Sequence, residues 1–367
     1  MKIDALTPLR FIAAAVVVIF HFGLKGSDYV GFFSAGPQMV SFFFVLSGFV
    51  MAFAHYEKPL DLKLYYIARA ARILPLYFLA LICLWLVYIT IDVTPNPVGV
   101  VLNFTLLQAW YPPLALSMNS PGWSLSIEAF FYIIFPFLLV LLTRSNWRTP
   151  ALFVMALVLW LGTQMLLSSV MSAGFYSGPE SLARKFVHYF PLSHLCSFVL
   201  GVVGGIWFRR ASPRINSAWL STAFIILAAG VLVFALENQG LIRRTVGFKL
   251  AFRSSFLSPL YLFVILAVAV SRGPLISLLS LRPLVFLGEI SYGVYILQFP
   301  VYVVFRFYIG EHLGLSEPAY FMVYFVLLLL VSALCYVFFE KPANTYCRFV
   351  LPRQLKMIGD RNIRGTL

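Results

Sequence analysis

The sequence predicts an all-α, polytopic membrane protein with about ten transmembrane helices and both termini in the cytoplasm. Two observations carry this prediction. Of the 367 residues, 61% are hydrophobic and 11% are charged, with a mean hydropathy of +0.92, whereas about a quarter of an ordinary soluble domain is charged. The apolar residues also run in segments of about 20, the length that crosses a bilayer as a helix.

Ten segments meet this length requirement. The predicted spans are Leu6–Phe22, Gly36–His55, Ile73–Ile91, Ser124–Leu142, Ala151–Met171, His188–Phe208, Trp219–Leu236, Phe256–Val270, Leu284–Phe305 and Ala319–Phe339. Arg253 and Pro259 crowd the start of the eighth span. The apolar stretch Val98–Trp110 is short and is followed by prolines, which favours a re-entrant or interfacial piece. We expect one membrane domain, residues 1–345, and a short basic cytoplasmic tail, residues 346–367.

The formal charge of +14 comes from Lys and Arg in short loops between apolar runs, which argues against a nucleic-acid-binding face. With the N-terminus inside, about nineteen Lys and Arg lie on the cytoplasmic side and about eight outside, the bias that orients membrane proteins. The loop with Arg243 and Arg244 breaks this rule. An acidic acceptor, a re-entrant segment or a miscounted span would each explain it.

Cysteine and histidine spacing gives no metal site, because the four cysteines and five histidines are dispersed without ligand spacing. The first apolar segment is not expected to be a cleaved signal peptide, since Arg10 lies inside it and no small-residue cleavage site follows. We expect a multi-pass protein of the bacterial inner membrane.

Two ionisable residues lie in the first predicted helix, where their cost makes each a functional candidate. Arg10 and His21 are about 16 Å apart along the axis and return to nearly the same helix face. One face therefore presents a guanidinium near the cytoplasm and an imidazole well across the membrane. The structural alternative is that Arg10 reaches the interface and His21 hydrogen-bonds a neighbouring helix.

A second basic motif enters the third predicted helix. Arg69 and Arg72 are neighbours on one helical face, three residues apart, and Pro75 and Tyr77 follow. Paired guanidiniums bind phosphate oxygens bidentately, which indicates a phosphate-rich ligand. The alternative is an ordinary positive-inside flank in contact with lipid phosphates.

The fourth predicted span begins with Trp123, Ser124 and Ser126, and Glu128 follows about one and a half turns inside. If the helix starts at the outer surface, Glu128 lies at a depth similar to that of His21. A carboxylate at that depth would orient the imidazole and raise its basicity. The alternative is a salt bridge from Glu128 to a nearby Lys or Arg.

The ninth predicted helix carries Ser291, Tyr292 and Tyr295 beside Gly288. Small residues permit close helix contacts, and hydroxyl groups line polar paths. Packing is the simpler interpretation here, as it is for Ser47 and Gly48 in the second helix.

These motifs together resemble the acyltransferase-3 family of membrane acyltransferases, in family order and over nearly the whole chain. The matching pieces are Leu9-Arg10 ten residues before His21, Phe43–Phe49, Arg69-x-x-Arg72-Ile-x-Pro75-x-Tyr77, Trp123-Ser-Leu-Ser-x-Glu128-x-x-Phe131-Tyr132, Gly288-x-x-Ser291-Tyr292-x-x-Tyr295 and Glu340-Lys341-Pro342. The resemblance implies a ten-helix fold, an acyl-CoA donor and an O-acyl product, commonly on an extracytoplasmic polysaccharide. It also implies a catalytic His21 and a donor site at Arg10, Arg69 and Arg72.

Two departures from the family pattern stand out. Members often have a histidine near the end of the Ser-Tyr motif, where this chain has Gln298. Many members also carry a C-terminal hydrolase-like soluble domain, and we expect none in this chain. We therefore expect the membrane domain itself, or a partner, to handle the acceptor.

The sequence thus predicts an O-acyltransferase that moves an acetyl or other acyl group from cytoplasmic acyl-CoA to a hydroxyl of an extracytoplasmic glycan. Acyl-CoA, with acetyl-CoA as the expected form, is a co-substrate, no bound cofactor or metal is expected, and membrane lipid is the environment. The candidate catalytic residues are His21 and Glu128, the donor-binding ones Arg10, Arg69, Arg72 and Tyr77, and the acceptor or pore-lining ones Trp123, Ser124, Ser126, Ser291, Tyr292 and Tyr295. The alternative is a transporter or flippase of a glycan or lipid-linked intermediate.

Overall fold

The computed structural model of the protein describes residues 3–23, 32–144, 147–176, 178, 181–247 and 249–347. Every regular element in this part of the chain is a helix, which confirms the predicted fold class. The α-helices are α1 (Thr7–Phe22), α2 (Gly36–His55), α3 (Leu62–Thr90), α4 (Pro97–Phe104), α5 (Trp123–Arg144), α6 (Thr149–Ser172), α7 (Leu182–Tyr189), α8 (Leu192–Ala211), α9 (Ala218–Glu237), α10 (Gln239–Val246), α11 (Ser258–Val270), α12 (Pro274–Leu279), α13 (Arg282–Tyr308), α14 (Glu317–Cys335) and α15 (Lys341–Thr345). The predicted tail lies outside the described residues beyond residue 347.

Nine helices within the described ranges are long and apolar enough to cross a membrane. The eighth predicted span is different, because α11 has 13 residues and a length of about 20 Å, against a hydrocarbon core of about 30 Å. Turns occupy residues 252–257 instead of the first part of that span. The ten predicted spans therefore correspond to nine full-length segments and one short helix.

Three predicted boundaries were wrong. α3 begins at Leu62, eleven residues before the predicted start, because the Asp61 side chain caps it by accepting the backbone N–H of Leu64. Pro191 separates α7 from α8 within the sixth span. The last span ends in a π-helical turn, Tyr336–Glu340, which leads into α15.

Close packing between helices depends on glycines. A methyl group at Gly201 of α8 would lie 2.0 Å from the carbonyl oxygen of Val45, and one at Gly48 of α2 would lie 2.3 Å from that of Phe198. α1 and α13 meet in the same way, because a methyl group at Gly288 would lie 2.1 Å from the carbonyl oxygen of Thr7. These contacts confirm the predicted packing role of Gly48 and Gly288.

Residues 97–122 contain the predicted re-entrant or interfacial stretch Val98–Trp110 and form α4 and short 3₁₀ turns, and we call them the re-entrant segment. It packs against Tyr77, which lies about halfway along α3. The Tyr77 hydroxyl donates to the carbonyl oxygen of Asn103 (2.9 Å), and the Gln108 amide donates to the Tyr77 hydroxyl (3.0 Å) and to the carbonyl oxygen of Gly122 (2.8 Å). α5 therefore begins halfway along α3, not at the outer end of the bundle.

The predicted orientation can be tested with single cysteines in a cysteine-free background. Thr94 lies between α3 and α4 and Asn216 between α8 and α9, and both are exposed. With the N-terminus inside, a membrane-impermeant maleimide should label Thr94→Cys in intact spheroplasts and label Asn216→Cys only after permeabilisation. The reverse pattern would overturn the orientation.

Candidate functional site

A cavity of about 550 Å³ lies where α1, α3 and α13 begin and α2 ends. Its lining includes eight of the predicted site residues: Arg10, Arg69, Arg72, Ser124, Glu128, Ser291, Tyr292 and Tyr295. The other acidic, basic and histidine side chains of its lining are Asp4, His55, Lys58, Arg209 and Glu289. The structure therefore brings together side chains from four helices, α1, α3, α5 and α13, that the sequence had grouped by motif alone.

Arg72 is the best-anchored cation of the cavity. Its guanidinium forms an ion pair with the Glu340 carboxylate, which is 1% exposed, and lies 5.7 Å from the centre of the Tyr292 ring. A buried carboxylate with an adjacent guanidinium fixes that side chain in place. Glu340 belongs to the Glu340-Lys341-Pro342 motif of the sequence, which gives no sign that its partner is Arg72.

Arg10 and Arg69 have capacity left for a ligand. The buried Nε atoms of both have no hydrogen-bond partner among the described residues. Arg69 lies 5.5 Å from the centre of the Tyr132 ring, which supports the cation without using its N–H groups. An unused buried N–H favours an anionic acceptor atom. Arg209, on α8, has the same unpartnered Nε, although the sequence analysis counted it only as a cytoplasmic charge.

Glu128 belongs to this cavity and not to His21. The Tyr132 hydroxyl, one turn further along α5, donates to the Glu128 carboxylate. The negative charge of Glu128 attracts the guanidiniums of Arg10 and Arg72. The predicted pairing of Glu128 with His21 is not found among the described residues. The physical reason is the depth of α5, whose start halfway along α3 brings Glu128 close to the arginines.

The described partner of His21 is Gln298. The His21 Nδ1 and Gln298 Oε1 atoms lie 2.8 Å apart, and the Gln298 amide nitrogen donates to the carbonyl oxygen of Tyr295 at 2.7 Å. That second bond fixes which end of the amide faces the ring. Oε1 can only accept, so Nδ1 carries the hydrogen and Nε2 carries the lone pair of the neutral imidazole.

A layer of hydroxyl groups lies between the cavity and His21. The Tyr295 and Ser124 hydroxyl groups are 2.8 Å apart, and each also reaches the carbonyl oxygen of Pro121. Tyr295 lines the cavity and is about one helical turn, roughly 5 Å, from Gln298. His21 therefore lies just beyond the end of the cavity that Tyr295 and Ser124 line, and His21 is not itself part of the lining.

The remaining predicted residues have structural contacts. Tyr77, Trp123 and Ser126 do not line the cavity. Tyr77 holds the re-entrant segment, Ser126 donates to the carbonyl oxygen of Leu106 in that segment, and the Trp123 ring packs against His194. These contacts give Tyr77 a structural role, and its predicted part in donor binding stays a prediction. No cluster of three or more His, Cys, Asp or Glu that could hold a metal ion occurs in the part of the chain that the structure describes.

Comparison with known proteins places the chain in a family. The family described as "Acyltransferase domain" (acyltransferase-3) matches residues 3–337. The chain belongs to this family. No solved structure matches it.

The relatives of this acyltransferase-3 chain include several named proteins. Acyltransferase MdmB of Streptomyces mycarofaciens is 26% identical over 62% of this chain and 63% of its own length. The peptidoglycan O-acetyltransferase OatA of Listeria monocytogenes is 25% identical over 82% of this chain but 49% of its own length. The exopolysaccharide production protein ExoZ of Rhizobium meliloti is 26% identical over 89% of this chain and 94% of its own length. The chain thus spans about half to two thirds of MdmB and OatA, and nearly all of ExoZ.

Proposed function

We propose that this acyltransferase-3 protein transfers an acyl group from acyl-CoA, bound in the cytoplasmic cavity, to a hydroxyl of an extracytoplasmic glycan. The observation that carries the proposal is the alignment of two sites along α1 and α13. Partly buried arginines line a cavity at one end, and the His21–Gln298 pair lies just beyond its other end. The names of OatA and ExoZ support a glycan as acceptor.

The donor half of the proposal rests on directed N–H groups and not on a large excess of charge. Five Arg and Lys side chains line the cavity against three carboxylates, and Arg72 is already paired with Glu340. Arg10, Arg69 and Arg209 supply the unpartnered guanidinium nitrogens. Phosphate oxygens of CoA accept from such groups bidentately.

The thioester arm extends from the phosphates toward His21. The Tyr295 and Ser124 hydroxyl groups move aside, and this opens a path across the last helical turn that separates the cavity from the imidazole. The acceptor hydroxyl then donates its proton to His21 Nε2 as its oxygen attacks the thioester carbonyl. When the C–S bond breaks, the imidazolium returns the proton to the leaving thiolate, which gives an ester and free CoA.

Gln298 and Glu128 take separate parts in this scheme. Gln298 holds the imidazole in the tautomer whose Nε2 accepts a proton, as a neutral orienting group. Glu128 stays in the cavity, where it stabilises the neighbouring guanidiniums with its Tyr132 partner. We therefore assign Glu128 a role in organising the donor cavity.

Loss of the base tests the proposal directly. His21→Ala should lower acyl transfer about 10²–10⁴-fold, because a general base typically contributes that much, while CoA binding is kept. The measurement is transfer of label from radioactive acetyl-CoA to the glycan fraction of membranes. His312→Ala, an exposed histidine outside the site, is the matched control and should stay active. Near-normal labelling with His21→Ala would refute the scheme.

The role of Gln298 is testable by separating kcat from KM. Gln298→Leu keeps a buried side chain of similar size but cannot accept the Nδ1 hydrogen, so kcat should fall about tenfold or more through loss of one buried hydrogen bond. The KM for acyl-CoA should stay unchanged. Gln298→His, which restores an acceptor atom, should recover part of kcat. A Leu variant with the kcat of the wild type would exclude a positioning role.

The donor site is testable with ligands that differ in phosphate. Changing Arg10 and Arg69 together to Gln should weaken CoA binding at least tenfold, because two N–H-rich cations are lost. Affinity for pantetheine, which has no phosphate, should change little. Arg144→Gln, an exposed cytoplasmic-side arginine outside the cavity, controls for net charge. Equal CoA affinity in wild type and the double variant, measured by calorimetry in detergent, would remove the donor assignment.

A further inference from the structure

Three guanidiniums from separate segments converge at the end of the bundle that bears His21, away from the cavity. They are Arg184 on α7, Arg243 on α10 and Arg253 in the segment between α10 and α11, and we call them the outer cationic cluster. Partial burial, and then the charges of Arg184 and Arg243, lower the pKa of Arg253 from its ordinary value. Contacts of the chain bring the same segments together, because Arg243 lies over the ring of Phe252, the neighbour of Arg253, and the Ser254 hydroxyl donates to the carbonyl oxygen of Val187, three residues after Arg184.

The cluster has no anionic partner within the described part of the protein. None of the three guanidiniums forms an ion pair with a described carboxylate. Arg243 lies over the Phe252 ring, 5.2 Å from its centre, which supports the cation without neutralising it. Convergent like charges cost free energy in the empty state, and a bound anion offsets that cost.

The segments that carry the cluster are hydrogen-bonded to α2 and to one another. The Ser41 hydroxyl of α2 donates to the carbonyl oxygen of Ser254, and the Ser254 hydroxyl donates to that of Val187 on α7 at 2.7 Å. The Gln38 amide at the start of α2 donates to Gln239 at the start of α10 at 3.3 Å. The two α2 residues in these hydrogen bonds, Gln38 and Ser41, both lie in the first two turns of that helix.

The same end of α2 lies beside the proposed catalytic histidine. A methyl group at Gly36, the first residue of α2, would lie 2.4 Å from Cβ of Phe20, which directly precedes His21. The outer cationic cluster is therefore attached to the structure that flanks His21. It also includes Arg243, from the loop that breaks the cytoplasmic bias of Lys and Arg in the sequence.

We propose that the outer cationic cluster binds the acidic groups, carboxylate or phosphate, of an anionic glycan and so holds the acceptor hydroxyl near His21. The inference rests on the proposed function, since it names the acceptor class of the same reaction. Arginine forks at converging positions match carboxylate and phosphate geometry. Anionic lipid is the other source of such groups, but it is met from single residues at the membrane surface and does not require three segments to converge.

The test is direct binding of defined probes to the full chain in nanodiscs of neutral phosphatidylcholine. Fluorescent oligogalacturonate, a carboxylated glycan, should bind, and a neutral malto-oligosaccharide of the same length should not. Changing Arg243 and Arg253 together to Gln should weaken oligogalacturonate binding at least tenfold. Salt at about 1 M, where the Debye length is about 3 Å, should weaken it as well. Arg306→Gln, an exposed outer arginine on α13, is the matched control and should bind as the wild type does.

Three outcomes would overturn the inference. The first is equal binding of the charged and neutral oligosaccharides, and the second is wild-type affinity for oligogalacturonate in the double variant. The third is a variant that loses binding only to an anionic phosphatidylglycerol nanodisc, which would make the cluster a lipid site. CoA-induced thermal stabilisation should be the same in wild type and variant, which shows that the variant is folded. If oligogalacturonate binds through the cluster while no acyl transfer from acetyl-CoA is found, the proposed function fails and the anionic-glycan site stands.

Discussion

The hydrogen bonds around Tyr77 determine how deep α5 begins in the bundle, and therefore where its site residues lie. A non-helical segment inside a bilayer needs protein partners for its backbone groups, because no water is there to supply them. Asn103 and Gln108 meet that need through the Tyr77 hydroxyl, and Gln108 also caps the turn at Gly122. This network ends the re-entrant segment halfway along α3, so α5 starts there. Glu128 consequently faces the arginines, and Ser124 reaches Tyr295.

Burial of charge divides the cations of the cavity into two kinds. Arg72 has a carboxylate partner in Glu340, and removal of one member of such a pair leaves the other uncompensated in a low-dielectric environment. Arg69 lies against the Tyr132 ring, and the buried Nε atoms of Arg10 and Arg69 have no hydrogen-bond partner among the described residues. The paired guanidinium stabilises the junction of α3 with the last helical turns, and the unpaired ones remain available to a ligand. Intramembrane cations without partners are costly, and a function is the usual reason they persist.

The sequence predicted the parts of this arrangement that depend on local pattern. Hydropathy located the spans, because about 20 apolar residues are needed for each. Hydropathy could not predict how deep in the membrane Glu128 lies, because a short apolar stretch such as residues 98–110 does not show how far it enters the bilayer. Nor could it pair Arg72 with Glu340, 268 residues away in the chain. Gln298 was visible only as a departure from a family pattern, although it is the residue that bonds His21.

An amide beside His21 is a consistent choice for an imidazole enclosed by protein. A carboxylate there would add a buried charge with its own desolvation cost, and that cost exceeds the gain from pairing unless further hydrogen bonds satisfy it. A glutamine accepts the Nδ1 hydrogen without adding charge, and its own amide group is satisfied by the carbonyl oxygen of Tyr295. The Tyr324 hydroxyl donates to the Gln298 backbone carbonyl at 2.9 Å, which holds that turn of α13 against α14. The orientation of the imidazole therefore depends on how α13 packs against α14.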